Sequence, residues 1–154
     1  MELLHDINVL WTRDLAVGSA TMDARNRDMF ARLSVIGGGG ASTALAIPAA
    51  TAAPAALADS LLQALAQLEV LLDEEERELE AAGYPELVFH RQLHQRARAR
   101  LAYARTQLSK AADASAAVAL SRDTCAGLAV WLMRHVQDAD KLFLPYIDAR
   151  VHDC

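Results

Sequence analysis

Leucine returns at intervals of three and four at Leu61, Leu65, Leu68 and Leu72, and again at Leu79. Only an α-helix aligns such positions on one side, because its 3.6-residue turn stacks i with i+3, i+4 and i+7. The run "LLQALAQLEVLLDEEERELEAAG" is therefore a long amphipathic helix, and it needs neighbours to cover its leucines. One position breaks the pattern. Glu75 stands three residues after Leu72 and four before Leu79, so a carboxylate lies within the apolar stripe. Any fold that buries this helix must also provide for Glu75.

Three further segments can supply the cover. The first starts near Ser19–Thr21, either of which can cap it, and carries Met22, Met29, Phe30 and Leu33 at helical spacing. The "GGGG" at 37–40 ends it. The leucine-rich helix is then expected to begin after Asp59–Ser60, with either residue as cap, and to stop at Gly83. A third helix follows the Tyr84–Pro85 turn, with Pro85 suited to its first position, and shows a stripe of Leu87, His90, His94, Ala97, Leu101 and Leu108. After "KAADAS" comes the fourth, "AAVALSRDTCAGLAVWLMRHVQDADKLFLPYID", which Pro145 is expected to end or bend. Long helices joined by short turns predict an all-α, antiparallel up-down four-helix bundle. The expected organisation is one domain over 1–154, with a flexible Gly/Ala/Pro-rich insertion at about 37–58.

Composition narrows the function. The hydrophobic share is 53% but aromatics supply only 5%, so the excess is Ala and Leu, which favour helix. A net charge of −5 gives no pull toward nucleic acid or an anionic membrane surface. Arg91, Arg96, Arg98, Arg100 and Arg105 cluster on the third helix, yet "DEEERELE" on the second can compensate them. The uncharged run from Val35 to Ala58 has four glycines and two prolines, too interrupted for a membrane span. Two cysteines, Cys125 and Cys154, make no disulfide framework, and "MELLHDINVLWTRDL" has acidic residues where an export signal has basic ones. A cytoplasmic protein is expected, with no nucleic-acid or membrane partner and an open oligomeric state.

Glu75 is not alone on the wrong side. His90 and His94 stand four apart on the third stripe, and His135 continues the stripe of Leu128 and Leu132 on the fourth helix. A lone histidine on an apolar stripe is commonly a core residue with one hydrogen bond, and a lone glutamate in an acidic run is usually solvated. Three helices each turning ligand-type side chains inward is another matter. A shared cation would offset the burial cost of the carboxylate, and histidines at i and i+4 suit one ion. Imidazoles and glutamate converging in a bundle form the donor set of a non-haem iron or manganese site, with zinc also compatible. A metal-free interaction module, with Glu75 protonated or paired to histidine, is the competing structure.

These residues sit in motifs that resemble the hemerythrins, the bacterial ones in particular. "WTRDLAVGSATMDARN" is similar to the family's opening Trp, Val-Gly and Asp-x-x-His pattern, "EEERELEAAGYPELVFHRQLH" to its Glu-Glu, Tyr-Pro and His-x-x-x-His run, and "WLMRHVQDAD" to its Trp-Leu, His-x-x-x-x-Asp segment. The resemblance spans most of the chain outside 37–58. It implies that His90, His94 and His135 are terminal ligands of one iron, with Glu75 and Asp140 as the carboxylates that bridge two irons in the family. Asp140 comes from the resemblance only, since five residues beyond His135 it falls off the helical stripe.

The departures are equally informative. Where the family's second iron takes its histidines, this chain has Asn26, a weak neutral ligand, and Leu71, which is none. Phe143 occupies a position where the family often has an aromatic hydroxyl. Reversible O2 carriage needs two ferrous ions, so the implied function is a non-haem iron-binding protein with a reduced, mononuclear site, serving O2 or redox sensing or iron handling. Alternatives are a di-iron O2-binding hemerythrin whose second ion is held weakly through Asn26, and a mononuclear-metal dismutase- or peroxidase-like enzyme. Manganese or zinc could replace iron, and O2 or small oxidants are the expected small-molecule partners.

Overall fold

The computed structural model describes residues 15–17, 19–38 and 53–151, and these form helices without any strand. Helix α1 spans Ala20–Ile36, α2 Pro54–Ala81, α3 Leu87–Ser109 and α4 Ala114–Asp138; a 3₁₀ turn at Asp140–Phe143 leads into the short α5, Leu144–Val151. The oxygen of Ser19 accepts from the backbone N–H of Met22 at the start of α1, and Asp113 does the same for Ala116 at the start of α4. Each side chain satisfies one of the amides that a first turn leaves without a partner.

Ion pairs give the directions. Along α2, Glu69, Asp73, Glu76 and Glu80 meet Arg105, Arg98, Arg98 and Arg91 of α3, a descending order that makes the two helices antiparallel. Arg25 near the start of α1 meets Glu74 and Glu78, at the level of Glu75. At the far end of α1, Gly37 lies against the backbone of Ala126, nine residues before His135, whose ring lies near Glu75. The four long helices therefore alternate in direction, the expected up-down bundle. Leu61, Leu65, Leu68 and Leu72 of α2 are enclosed with Leu33, Leu101 and Leu132 from the other three helices. By length and apolarity α2 and the stretch Ala114–Ile147 could cross a bilayer; most of the α2 leucines, though not Leu62, are packed inside the bundle.

Three boundaries differ from expectation. Helix α2 begins at Pro54, not after Asp59–Ser60. Leu57 extends the leucine stripe one turn back and is buried, and Pro54 supplies a fixed first-turn φ without needing a capping side chain. Ser60 lies inside the helix and bonds back to the carbonyl of Ala56. Residues 54–58 of the anticipated 37–58 insertion are thus helical, while 39–52 lie outside the described residues. Pro85 is in the turn rather than at the first position of α3, which starts at Leu87. Gly83, at φ +67°, makes that reversal in a conformation that side-chain-bearing residues avoid.

The third difference matters most for function. The fourth helix stops at Asp138, well before Pro145. A proline lacks an N–H, and in a continuous helix its ring would meet the carbonyl four residues upstream. The chain instead resets through the 3₁₀ turn and restarts with Pro145 in the first turn of α5.

Candidate metal centre

Glu75, His90, His94 and His135 are all buried, and one ligand atom from each lies within 4.8 Å of the others. The carboxylate oxygen Oε1 of Glu75 is 2.7 Å from Nε2 of His90 and 3.1 Å from Nε2 of His94. Nε2 of His135 lies 3.6 Å from that oxygen and 3.0 Å from Nε2 of His94. Three imidazole nitrogens and a carboxylate oxygen thus converge from α2, α3 and α4. Two Nε2 atoms this close cannot both present lone pairs to each other without a proton or cation between them.

Asp140 stands beside them because of the helix break. A continuous α4 would carry position 140 off the stripe, whereas the turn after Ala139 directs it inward, where it is 0% exposed. Its Oδ1 is 2.9 Å from Nε2 of His135 and 3.8 Å from Nε2 of His90. Neither of its oxygens has an aligned hydrogen bond. A buried carboxylate without one is costly unless a cation satisfies it.

The electrostatics follow from burial and crowding. Burial works against the Glu75 charge, but the His135, His90 and His94 imidazoles set against it outweigh that and hold the carboxyl well below its usual range. Burial and the nearby Glu75 charge push Asp140 up to about 6. Burial disfavours the cation at His135, yet the Asp140 charge overcomes it and raises that imidazole to about 10. Without a metal, a proton-bearing His135 between the two carboxylates offsets one of their two negative charges.

Around this set the packing is aromatic. Trp131 stacks on His135 with ring centroids 4.8 Å apart, and Phe143, fully buried, meets His90 edge-on at 5.7 Å. Tyr84 contacts both His90 and Phe143. Trp11, His5, His152 and Cys154 lie outside the described residues. Cys125 is buried and free, with its thiol pushed up to about 12 by burial, as a small hydrophobe would be.

Asn26 is buried on α1 with its amide nitrogen unpartnered. Leu71 is buried on α2 among hydrocarbon. Among the acidic flank, Glu76 is not the solvated residue its sequence position suggests. Its Oε1 accepts from Nδ1 of His94 at 2.8 Å. Arg98 pairs with the same oxygen at 2.8 Å, overcoming the burial of the carboxyl and holding it below its ordinary value. A signal was present in the sequence: Arg91, His94 and Arg98 are spaced i, i+3, i+7 and share a face of α3.

Fold and site together define a class: an antiparallel four-helix bundle with a buried histidine–carboxylate group able to hold a metal ion. A family model for the hemerythrin HHE cation-binding domain matches residues 17–147. The chain belongs to that family. No curated protein and no solved structure matches it.

Proposed function

We propose that this chain is a cytoplasmic non-haem metal-binding protein of the hemerythrin family, whose Glu75, His90, His94, His135 and Asp140 hold one ion, iron by preference. The observation that carries this reading is the convergence of one ligand atom each from Glu75, His90, His94 and His135 within 4.8 Å. Such a donor set also suits manganese or zinc, because affinity order alone does not choose among them. Bound iron would supply one-electron redox chemistry within reach of O2 or small oxidants, which fits redox sensing or iron handling better than bulk O2 carriage.

The protein's own part is to neutralise, orient and dry the site. Glu75 and Asp140 provide negative charge to balance a cation. His94 is fixed by Glu76, and Phe143 and Trp131 close hydrocarbon over His90 and His135. Asn26 and Leu71 leave few donors for a second ion, which favours a mononuclear centre. The test is metal content in His90→Ala and His135→Ala, each checked for helicity by circular dichroism. Both variants should remain helical and lose most bound metal; wild-type metal content in folded variants would overturn the assignment.

A further inference from the structure

We infer that Glu76 is a positioning residue for the metal centre: it fixes the tautomer and ring orientation of His94, and Arg98 and Arg91 fix Glu76 in turn. The inference rests on the metal-binding reading above, but its first link can be measured in metal-free protein.

The geometry is specific to one histidine. Nδ1 of His94 is 2.8 Å from Glu76 Oε1, and a carboxylate can only accept, so Nδ1 carries the hydrogen. With hydrogen held on Nδ1, Nε2, the nitrogen facing Glu75 Oε1 and His135 Nε2, is the one left to offer its lone pair to a cation. Glu76 is itself held at both oxygens. Arg98 reaches Oε1 at 2.8 Å and Arg91 reaches Oε2 at 3.4 Å, and Arg98 is braced by Asp73 at 2.5 Å. Arg91 and Arg98 lie one turn to either side of His94 on the same face of α3. This clamp joins α2 to α3 at the level where both contribute to the site.

A carboxylate on the far nitrogen makes an imidazole a better donor and removes the entropy of choosing a ring flip or tautomer. Glu75 cannot do this for His94, because it stands on the Nε2 side. The adjacent glutamates therefore divide the work. Glu75 faces the centre, and Glu76 faces the back of one ligand.

The test compares Glu76→Ala, Glu76→Gln and Arg98→Gln with wild type. In metal-free protein, ¹⁵N NMR of the imidazoles should show His94 with hydrogen on Nδ1 in wild type and in Glu76→Gln, which keeps a neutral acceptor, but a tautomer mixture in Glu76→Ala. Cobalt(II) titration followed by its visible spectrum should then show affinity reduced by about 10- to 100-fold in Glu76→Ala. The loss should be smaller in Glu76→Gln, and Arg98→Gln should fall between that variant and wild type. Unchanged cobalt affinity and spectrum in Glu76→Ala would overturn the proposal, as would a wild-type His94 without hydrogen on Nδ1. If wild type takes up no cobalt, the metal-binding reading fails, while the NMR result still decides whether Glu76 sets the tautomer.

Discussion

At the scale of single residues, the centre is a problem in proton placement that a cation would solve. Without metal, His135 is raised to about 10 from an ordinary 6.5. A histidine whose folded value is raised stabilises the fold fully below its unfolded value and loses that contribution as pH rises through the folded one. Metal-free protein should therefore lose thermal stability progressively between pH 6.5 and about 10, and His135→Ala should lose less over that window. Asp140, raised to about 6, acts in the same direction at lower pH, whereas the depressed Glu75 contributes stability that is lost on acidification. Metal must displace the His135 proton, so affinity should increase with pH. Thermal melts across this range, with and without metal, check both signs; a metal-free stability that rises toward alkaline pH would contradict the charge arrangement.

These residues also show what a sequence can disclose. Glu75, His90, His94 and His135 were legible because each interrupts an apolar stripe, and burial of a ligand-type side chain is visible as a violation of helical period. Asp140 was not, because its inward position comes from the helix break at Ala139, which periodicity does not see. Only the family resemblance points to it. Glu76 was hidden for the opposite reason: it occupies a polar flank where an acidic residue is unremarked, and its role depends on three side chains of another helix.

Among the elements, packing is carried by α2, and the leucine pattern that announces it also fixes how the bundle closes. Leu68 is fully buried midway along the helix, so Leu68→Ala should destabilise by about 2–5 kcal/mol through lost burial and a residual cavity. Gly37 tests a different contact. A Cβ there would lie 3.1 Å from the backbone nitrogen of Ala126, and backbone cannot yield as a side-chain tip can. Gly37→Ala should thus separate α1 from α4 and cost about 1–3 kcal/mol, in the range of core overpacking. Chemical denaturation measures both, and a neutral Gly37→Ala would mean that this approach does not limit packing. Asp59 and Ser60 have the chemistry of caps, yet the chain continues the leucine stripe back to Leu57 and begins on Pro54. Capping residues mark helix starts only where the apolar pattern also stops.

On the scale of the whole molecule, three of the four long helices bring ligand-type residues to one level, and the outer ion pairs secure that register. Arg25 ties α1 to Glu74 and Glu78, while Arg91, Arg98 and Arg105 tie α3 to the acidic face of α2. The arginine cluster that might have suggested a nucleic-acid surface is thus largely a helix-to-helix seam. Buried Asn26 and Leu71 lie at the positions where the hemerythrin resemblance expects histidines for a second iron, and this asymmetry underlies the proposal of one ion per chain. The most direct measurement is elemental analysis of the protein purified anaerobically from iron-replete cells. One iron per chain, lost on replacing His90 or His135, is the predicted result. Two irons per chain would contradict the mononuclear centre, and a folded chain that retains no metal would contradict the metal centre itself.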